Sequence, residues 1–434
     1  MRILVLGINY VPERTGIAPF TTGLCEHLAE QGHDVKVVTA FPYYPSWKVF
    51  EGYRGSCYRL EMLNGVVVHR VWHFVPWRPS SLWQRLAHDL SFTVGAFLVG
   101  LFSGKCDVVY CCCPPPTLGL AAYLLSKIKR SRFIVKLADL ASDAALATGI
   151  MRDGIAIRLA RRLEAFVYDR AKSVVCLCQA FIERLSQRQV PREKLALIPD
   201  WGDTERIRPL QNSSRFREDH DIPLGQFLVL HTGNMGKKQD LMNAVKAAEL
   251  LGDRQAINWI LVGDGEERAL LERESAARAS HTVRLLPLQS AEVLPHMYAE
   301  ADLLLLNQKS TVEDAVIPSK LLTYMAAGCP IVAAVSERSE AARHMALAGC
   351  GVVIPSENPQ ALADTVLRLS RDPELRSQLG ANGRAYAETH FTKLAVLRQY
   401  DLLFDRICDD PMPGSLSAKT AEPVERCKTA GLEE

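Results

Sequence analysis

Short apolar runs alternate with helical patterns along this chain, stop, and begin again, and that repetition limits the architectures it can adopt. "RILVLGINY" (residues 2–10) is nearly all apolar up to a glycine turn. "FTTGLCEHLAEQG" (20–32) carries apolar residues at helical spacing and stops at a glycine, and "HDVKVVTA" (33–40) is apolar once more. Strand, helix, strand in that order predicts parallel pairing through a crossover. Parallel strands covered on both faces read as continuous apolar runs, as these do. "VVVHRVW" (66–72), "CDVVYCCC" (106–113), "RFIVKLAD" (132–139) and "SVVCLC" (173–178) extend the set. After "PDWGDTERIRPLQNSSRF" (199–216) the pattern restarts, with strands expected at 227–233, 257–265, 282–288, 301–307, 330–335 and 350–355. The expectation is an α/β chain of two doubly wound parallel-sheet domains, residues 1–205 and 206–385. A helix over 386–408 returns to the first domain, and a polar tail over 409–434 is disordered.

A length of 434 residues agrees with two cores rather than one. The formal net charge of +2 gives nucleic-acid binding no support. Twelve cysteines would suit disulfides, but Cys111, Cys112 and Cys113 are adjacent, and Cys176 and Cys178 alternate within an apolar run. Those are buried-strand positions, where cysteine acts as a small hydrophobe. No paired Cys/His spacing points to a metal. The opening "MRILVLG" reads as a strand and not a secretory signal, so the expected location is the reducing cytoplasm.

Two stretches carry anion chemistry. "HTGNMGKKQ" (231–239) lies between a strand and a helix. Gly233 and Gly236 permit close backbone approach, and Lys237 and Lys238 add positive charge. A tight turn without ligand explains the glycines equally well. "DAVIPSK" (314–320) reads as a helix start, with Ser319 as cap after Pro318 and Lys320 in the first turn. A lysine there is disfavoured by roughly 0.3–1 kcal/mol unless an anion lies beside it. Ligands of open α/β sheets bind beyond the carboxyl ends of the strands, where Asn9, Gly16 and Asp139 also fall.

From its start to the end of the last long helix the chain resembles the family 4 glycosyltransferases. Within that family it looks like the subgroup that assembles exopolysaccharide repeat units, including the colanic-acid fucosyltransferase type. The resemblance is carried by "GINYVPERTGIAPFTTGLCEHLAEQGHDVKVVTAFPYYPSW", "GNMGKKQ", "LPLQS" and "DAVIPSK", in that order. It implies the GT-B fold, two Rossmann-like domains facing across a cleft. It also implies transfer of a sugar, with retained configuration, from a nucleoside-diphosphate sugar to a lipid-diphosphate-linked saccharide, with no cofactor and no metal. The donor-binding residues are then Gly233, Asn234, Gly236, Lys237, Lys238, Gly263, Leu288, Pro318, Ser319, Lys320 and Thr323. Asp139, Lys320 and Asp314 are the catalytic candidates, and Asn9 and Gly16 lie on the acceptor side. The chain departs from its relatives at Asn234 and Gln239, where many carry Arg and Lys, and at Ala315 and Thr323, where many carry a glutamate pair. A sugar-nucleotide epimerase and an inactive partner protein remain open alternatives.

"LSFTVGAFLVGLF" (90–102) is too short to span a bilayer. It follows a segment holding Trp72, Trp77 and Trp83 among arginines, which suits the headgroup region. Peripheral attachment to the inner face of the cytoplasmic membrane is expected, against the alternative of a buried helix behind a long loop.

Overall fold

The computed structural model describes residues 1–79, 81–147, 154–210, 213–252, 256–277, 283–311 and 318–409, so the tail predicted over 409–434 lies, beyond residue 409, outside the described residues. The first sheet is built from β1 (Arg2–Leu6), β2 (Asp34–Ala40), β3 (Tyr58–Leu63), β4 (Val66–Val71), β5 (Val108–Cys113), β6 (Arg132–Leu137), β7 (Ser173–Cys176) and β8 (Leu195–Leu197). Their order is β3-β4-β2-β1-β5-β6-β7-β8. All pairs are parallel except β3 with β4. The second sheet uses β9 (Phe227–Thr232), β10 (Ile257–Val262), β11 (Val283–Leu286), β12 (Leu303–Asn307), β13 (Ile331–Ala334) and β14 (Gly351–Ile354), ordered β11-β10-β9-β12-β13-β14 and parallel throughout. The apolar runs are the centres of these sheets: β5 is buried at every position, including its three cysteines, which are unbridged.

Three features depart from the sequence reading. β3 was not anticipated, although "LNGV" announces it. Asn64 and Gly65 both have positive φ, 48° and 80°, the backbone of a two-residue hairpin turn. The helix expected over 90–102 runs from Leu82 to Phe102 and has 21 residues. It is therefore long and apolar enough to cross a membrane by length and composition. It is instead packed along one narrow stripe, with His88, Phe92, Ala96 and Gly100 buried at every fourth position. Gly100 lets it close on the helix Pro116–Lys129, since a Cβ there would lie 2.6 Å from Leu125 Cδ1. The boundary predicted at 386 falls inside the helix Pro373–His390. The helix after it, Lys393–Asp409, buries Val396, Leu397, Tyr400 and Phe404 against Ile3, Val5 and Tyr110 of the first domain.

The crossing between domains is fastened. Gly202 N–H donates to Phe391 O at 2.8 Å, and Lys136 of β6 meets Asp200 of the linker at 2.6 Å. Burial opposes charge on Lys136, but Asp200 overrides it and the lysine is held protonated.

Candidate active site

The carboxyl ends of β9 and β10 meet at two glycines. A Cβ on Gly263 would lie 1.8 Å from the carbonyl oxygen of Gly233, so only glycine allows this approach. The loop after Gly233 is held by backbone bonds to the next one: Met235 N–H donates to Asp264 O at 2.8 Å, and Glu267 N–H to Met235 O at 2.9 Å. The helix expected over 240–251 is present, with its start shifted by two residues. Lys237–Gln239 forms a single tight turn, and the helix begins only at Met242. Its early amides at Asn243 and Ala244 already donate to Asp240 O and Leu241 O.

The second predicted anion site is more open. The helix Ser319–Ala327 starts after Pro318, which occupies the cap position with no side-chain bond, so Ser319 is the first helical residue and not the cap. First-turn amides of a helix favour an anion; here the Leu321 N–H already donates to Pro318 O at 2.9 Å, and the amides of Ser319 and Lys320 precede it. Lys320 stands in this turn, half-buried, and its stem crosses directly over Gly233: a Cβ on that glycine would lie 2.7 Å from Lys320 Cε. Lys320 Nζ lies 3.2 Å from His231 Nε2. Burial lowers Lys320 from its ordinary value to about 8. Thr323, one turn on, donates its hydroxyl back to Ser319 O at 3.2 Å.

Other predicted donor residues divide. Asn234 lies against Gly236, where a Cβ would meet its Nδ2 at 3.0 Å. Lys237 is exposed and pairs with Glu266 at 3.5 Å. Leu288 is 67% exposed, which leaves an apolar side chain open to solvent beyond β11. Asp314, with Glu313 and Ala315, lies outside the described residues.

Across from this loop, Asp139 stands two residues beyond β6 and is half-buried. Burial raises its carboxyl. The Leu140 backbone, Lys238 and Arg184 pull it back, while Asp143 raises it further. Lys238, from the second domain, is thus near enough to act on this carboxyl. Asn9 is already engaged, donating to Glu13 Oε2 at 2.9 Å. Gly16 has φ of 64°, where a side chain would be strained, and a Cβ there would lie 3.5 Å from the Tyr44 ring.

Two residues were missed from sequence. Glu13 is buried and accepts from the backbone N–H groups of Tyr43 and Tyr44, both at 2.7 Å, fixing the loop after β2. His231 is wholly buried beneath Lys320. A histidine inside the apolar run "FLVLHTG" was the available signal. Among the described residues, no group of three His, Cys, Asp or Glu side chains is placed to hold a metal ion.

Residues 15–201 match the Glycosyl transferase 4-like domain and residues 212–386 match the Glycosyl transferases group 1 family. The chain is 32% identical over 408 residues to WcaI of Escherichia coli (strain K12), a glycosyl transferase assigned to colanic acid biosynthesis, covering 92% of this chain and 98% of WcaI. It is 21% identical over 421 residues to N-acetyl-alpha-D-glucosaminyl L-malate synthase of Bacillus anthracis, covering 95% and 100%. Among solved structures, sucrose-phosphate synthase from Thermosynechococcus elongatus shares the fold with a TM-score of 0.71 at 17% identity, covering 94% and 99%. HepE of Anabaena in complex with UDP does so at 0.70 and 16%, covering 94% and 100%. Two parallel-sheet domains, glycine-bounded loops at the facing strand ends and full-length likeness to WcaI lead to one conclusion: the chain is an enzyme of the GT-B glycosyltransferases, with a 4-like first domain joined to a group 1 second domain.

Proposed function

We propose that this glycosyltransferase takes its sugar from a nucleoside diphosphate held on the second domain. It delivers the sugar, with retained configuration, to a saccharide carried on a lipid diphosphate, in exopolysaccharide or other cell-surface polysaccharide assembly. The observation that carries the donor half is Lys320. It is a half-buried ammonium beside an uncapped helix N-terminus, with no carboxylate partner among the described residues. When the anomeric carbon–oxygen bond breaks, the electron pair stays on the diphosphate, and Lys320 with the first-turn amides stabilises that charge. Asp139, on the facing domain, orients the incoming hydroxyl. No cofactor and no metal enters this reading, since lysine and helix amides supply the positive charge.

The acceptor half is supported by the outer face of the first domain. Trp83, Leu90, Val94, Leu98 and Phe102 on the helix Leu82–Phe102, and Trp72 and Trp77 in the segment between β4 and that helix, are all at least half exposed, an apolar stripe with aromatic residues at its start. Such a stripe suits peripheral attachment to the inner face of the cytoplasmic membrane, where a lipid-linked acceptor lies.

The test is incubation with UDP- and GDP-sugars and a lipid-diphosphate saccharide, with or without chelator, followed by mass and anomeric analysis of the product. A new glycolipid with the donor's anomeric configuration is expected in both conditions. An altered sugar nucleotide formed without acceptor would identify an epimerase instead.

A further inference from the structure

Lys320 is held by a residue that carries no charge of its own. His231 lies on β9, two residues before Gly233, with no exposed surface. Its Nδ1 is 3.1 Å from the carbonyl oxygen of Leu305 on β12. A carbonyl only accepts, so Nδ1 carries the ring proton. Nε2 is then left with a lone pair, and Lys320 Nζ, 3.2 Å away, donates to it. Burial first, and the lysine second, push the imidazole well below its ordinary value, against the opposite pull of the Leu305 and Asn234 backbone, so it stays neutral. The other titratable side chains around the pair are two phenols. Tyr324, on the helix of Lys320, accepts from Thr232 N–H at 3.0 Å and donates to Leu305 O at 3.4 Å. Tyr298 bonds to the Thr232 hydroxyl at 2.8 Å. Both are raised by burial and remain neutral. Lys237 and Lys238 follow on the loop after Gly233, and Glu313 and Asp314 precede the helix outside the described residues.

We propose that His231 is a positioning residue for the leaving nucleoside diphosphate, fixing Lys320 over Gly233 through a neutral acceptor that leaves the ammonium uncompensated. This rests on the donor reading above. A carboxylate in the same place would fix the lysine equally well, but its charge would cancel the lysine's attraction for an anion and repel the diphosphate itself. An apolar residue would leave four rotatable bonds and a strongly hydrated head to be ordered when the donor arrives. A neutral ring avoids both, and its bond to Leu305 O on the neighbouring strand β12 keeps it in the one tautomer that can accept.

The experiment is pulsed acetylation of Lys320 across pH 6 to 11, read by mass spectrometry, in the full-length native protein, His231→Phe and His231→Gln. With the acceptor removed, the ammonium loses a bond that favours it, so the midpoint in His231→Phe is expected at least about half a pH unit lower than native. In His231→Gln, whose amide oxygen accepts, it returns toward native. A purely structural histidine would leave the midpoint unmoved. Nitrogen-15 shifts of His231 in the native protein keep the idea exposed if His231→Phe does not fold: a neutral ring protonated on Nδ1 is expected, and a ring protonated on Nε2 or charged at pH 7 overturns the assignment. UDP and GDP are then added to the native protein. Protected labelling with an unmoved midpoint in His231→Phe removes the His231 assignment alone. Unprotected labelling removes the donor reading and this assignment with it.

Discussion

Glu340 of the second domain accepts a hydrogen bond at 2.7 Å from the backbone N–H of Ala180 in the first. Ala180 is in the opening turn of the helix Gln179–Gln187, which has no side-chain cap of its own, so a carboxylate from the other domain stands where a cap would. Burial raises the Glu340 carboxyl and the Ala180 N–H draws it back. Glu340→Ala is expected to weaken the contact between domains by on the order of 1–3 kcal/mol. Solution X-ray scattering of the ligand-free protein then shows a larger radius of gyration, and the linker is cleaved faster by protease. Identical scattering and cleavage would show that the bond does not hold the domains together.

Lys320 connects stability with binding. Burial lowers it from 10.5 to about 8, so the folded state disfavours the ammonium it carries at neutral pH. Between about pH 8 and 10.5 the unfolded chain binds more protons than the folded one, and stability rises with pH across that window. Lys320→Met is expected to remove this rise and to gain on the order of 1–3 kcal/mol at pH 7, while losing nucleoside-diphosphate binding and transfer. In the native protein, diphosphate affinity falls as pH rises through about 8, because the ligand then meets a neutral amine. Chemical denaturation and calorimetry over pH 7 to 10 measure both. A variant that still binds and transfers as the native protein does would refute the role.

Asp139→Asn is expected to abolish transfer and leave UDP or GDP affinity within about twofold, because Asp139 belongs to the first domain and not to the loop after Gly233. Calorimetry beside an activity assay checks it. Lost nucleotide binding would make Asp139 a structural residue.

The apolar stripe yields a flotation test. Native protein is expected to rise with liposomes containing anionic lipid, and Trp77→Ser with Trp83→Ser to remain below, since both rings are more than 70% exposed and make little contribution to the core. Native protein that stays with the soluble fraction at low salt rules the membrane face out.

Thr323 already spends its hydroxyl proton on Ser319 O. Little discrimination between ribo- and deoxyribonucleoside diphosphates is therefore expected in the native protein. Thr323→Glu should tighten the ribonucleotide by up to about tenfold, roughly 1.4 kcal/mol. Matched dissociation constants decide it, and a strong native preference for ribose defeats the prediction.

The alternation of apolar runs, restarted after residue 216, determined two parallel sheets, because a strand covered on both faces has no polar positions to spare. The positions of Gly233, Lys320 and Asp139 at strand and helix ends were legible for the same reason: ends of elements follow from where the apolar pattern stops. The sequence could not say that Ser319 begins its helix uncapped, since the cap depends on backbone torsions at Pro318. It could not extend the helix of Phe102 back to Leu82, because a stripe buried only at every fourth residue is too narrow to read from polarity. Above all, it could not pair residues far apart in the chain. His231 and Lys320 are 89 positions apart, and Ala180 and Glu340 are 160. Each looks ordinary in its own segment, and only the packing of β9 under a helix of its own domain, or of one domain on the other, turns a buried histidine into a holder of charge and a glutamate into a cap.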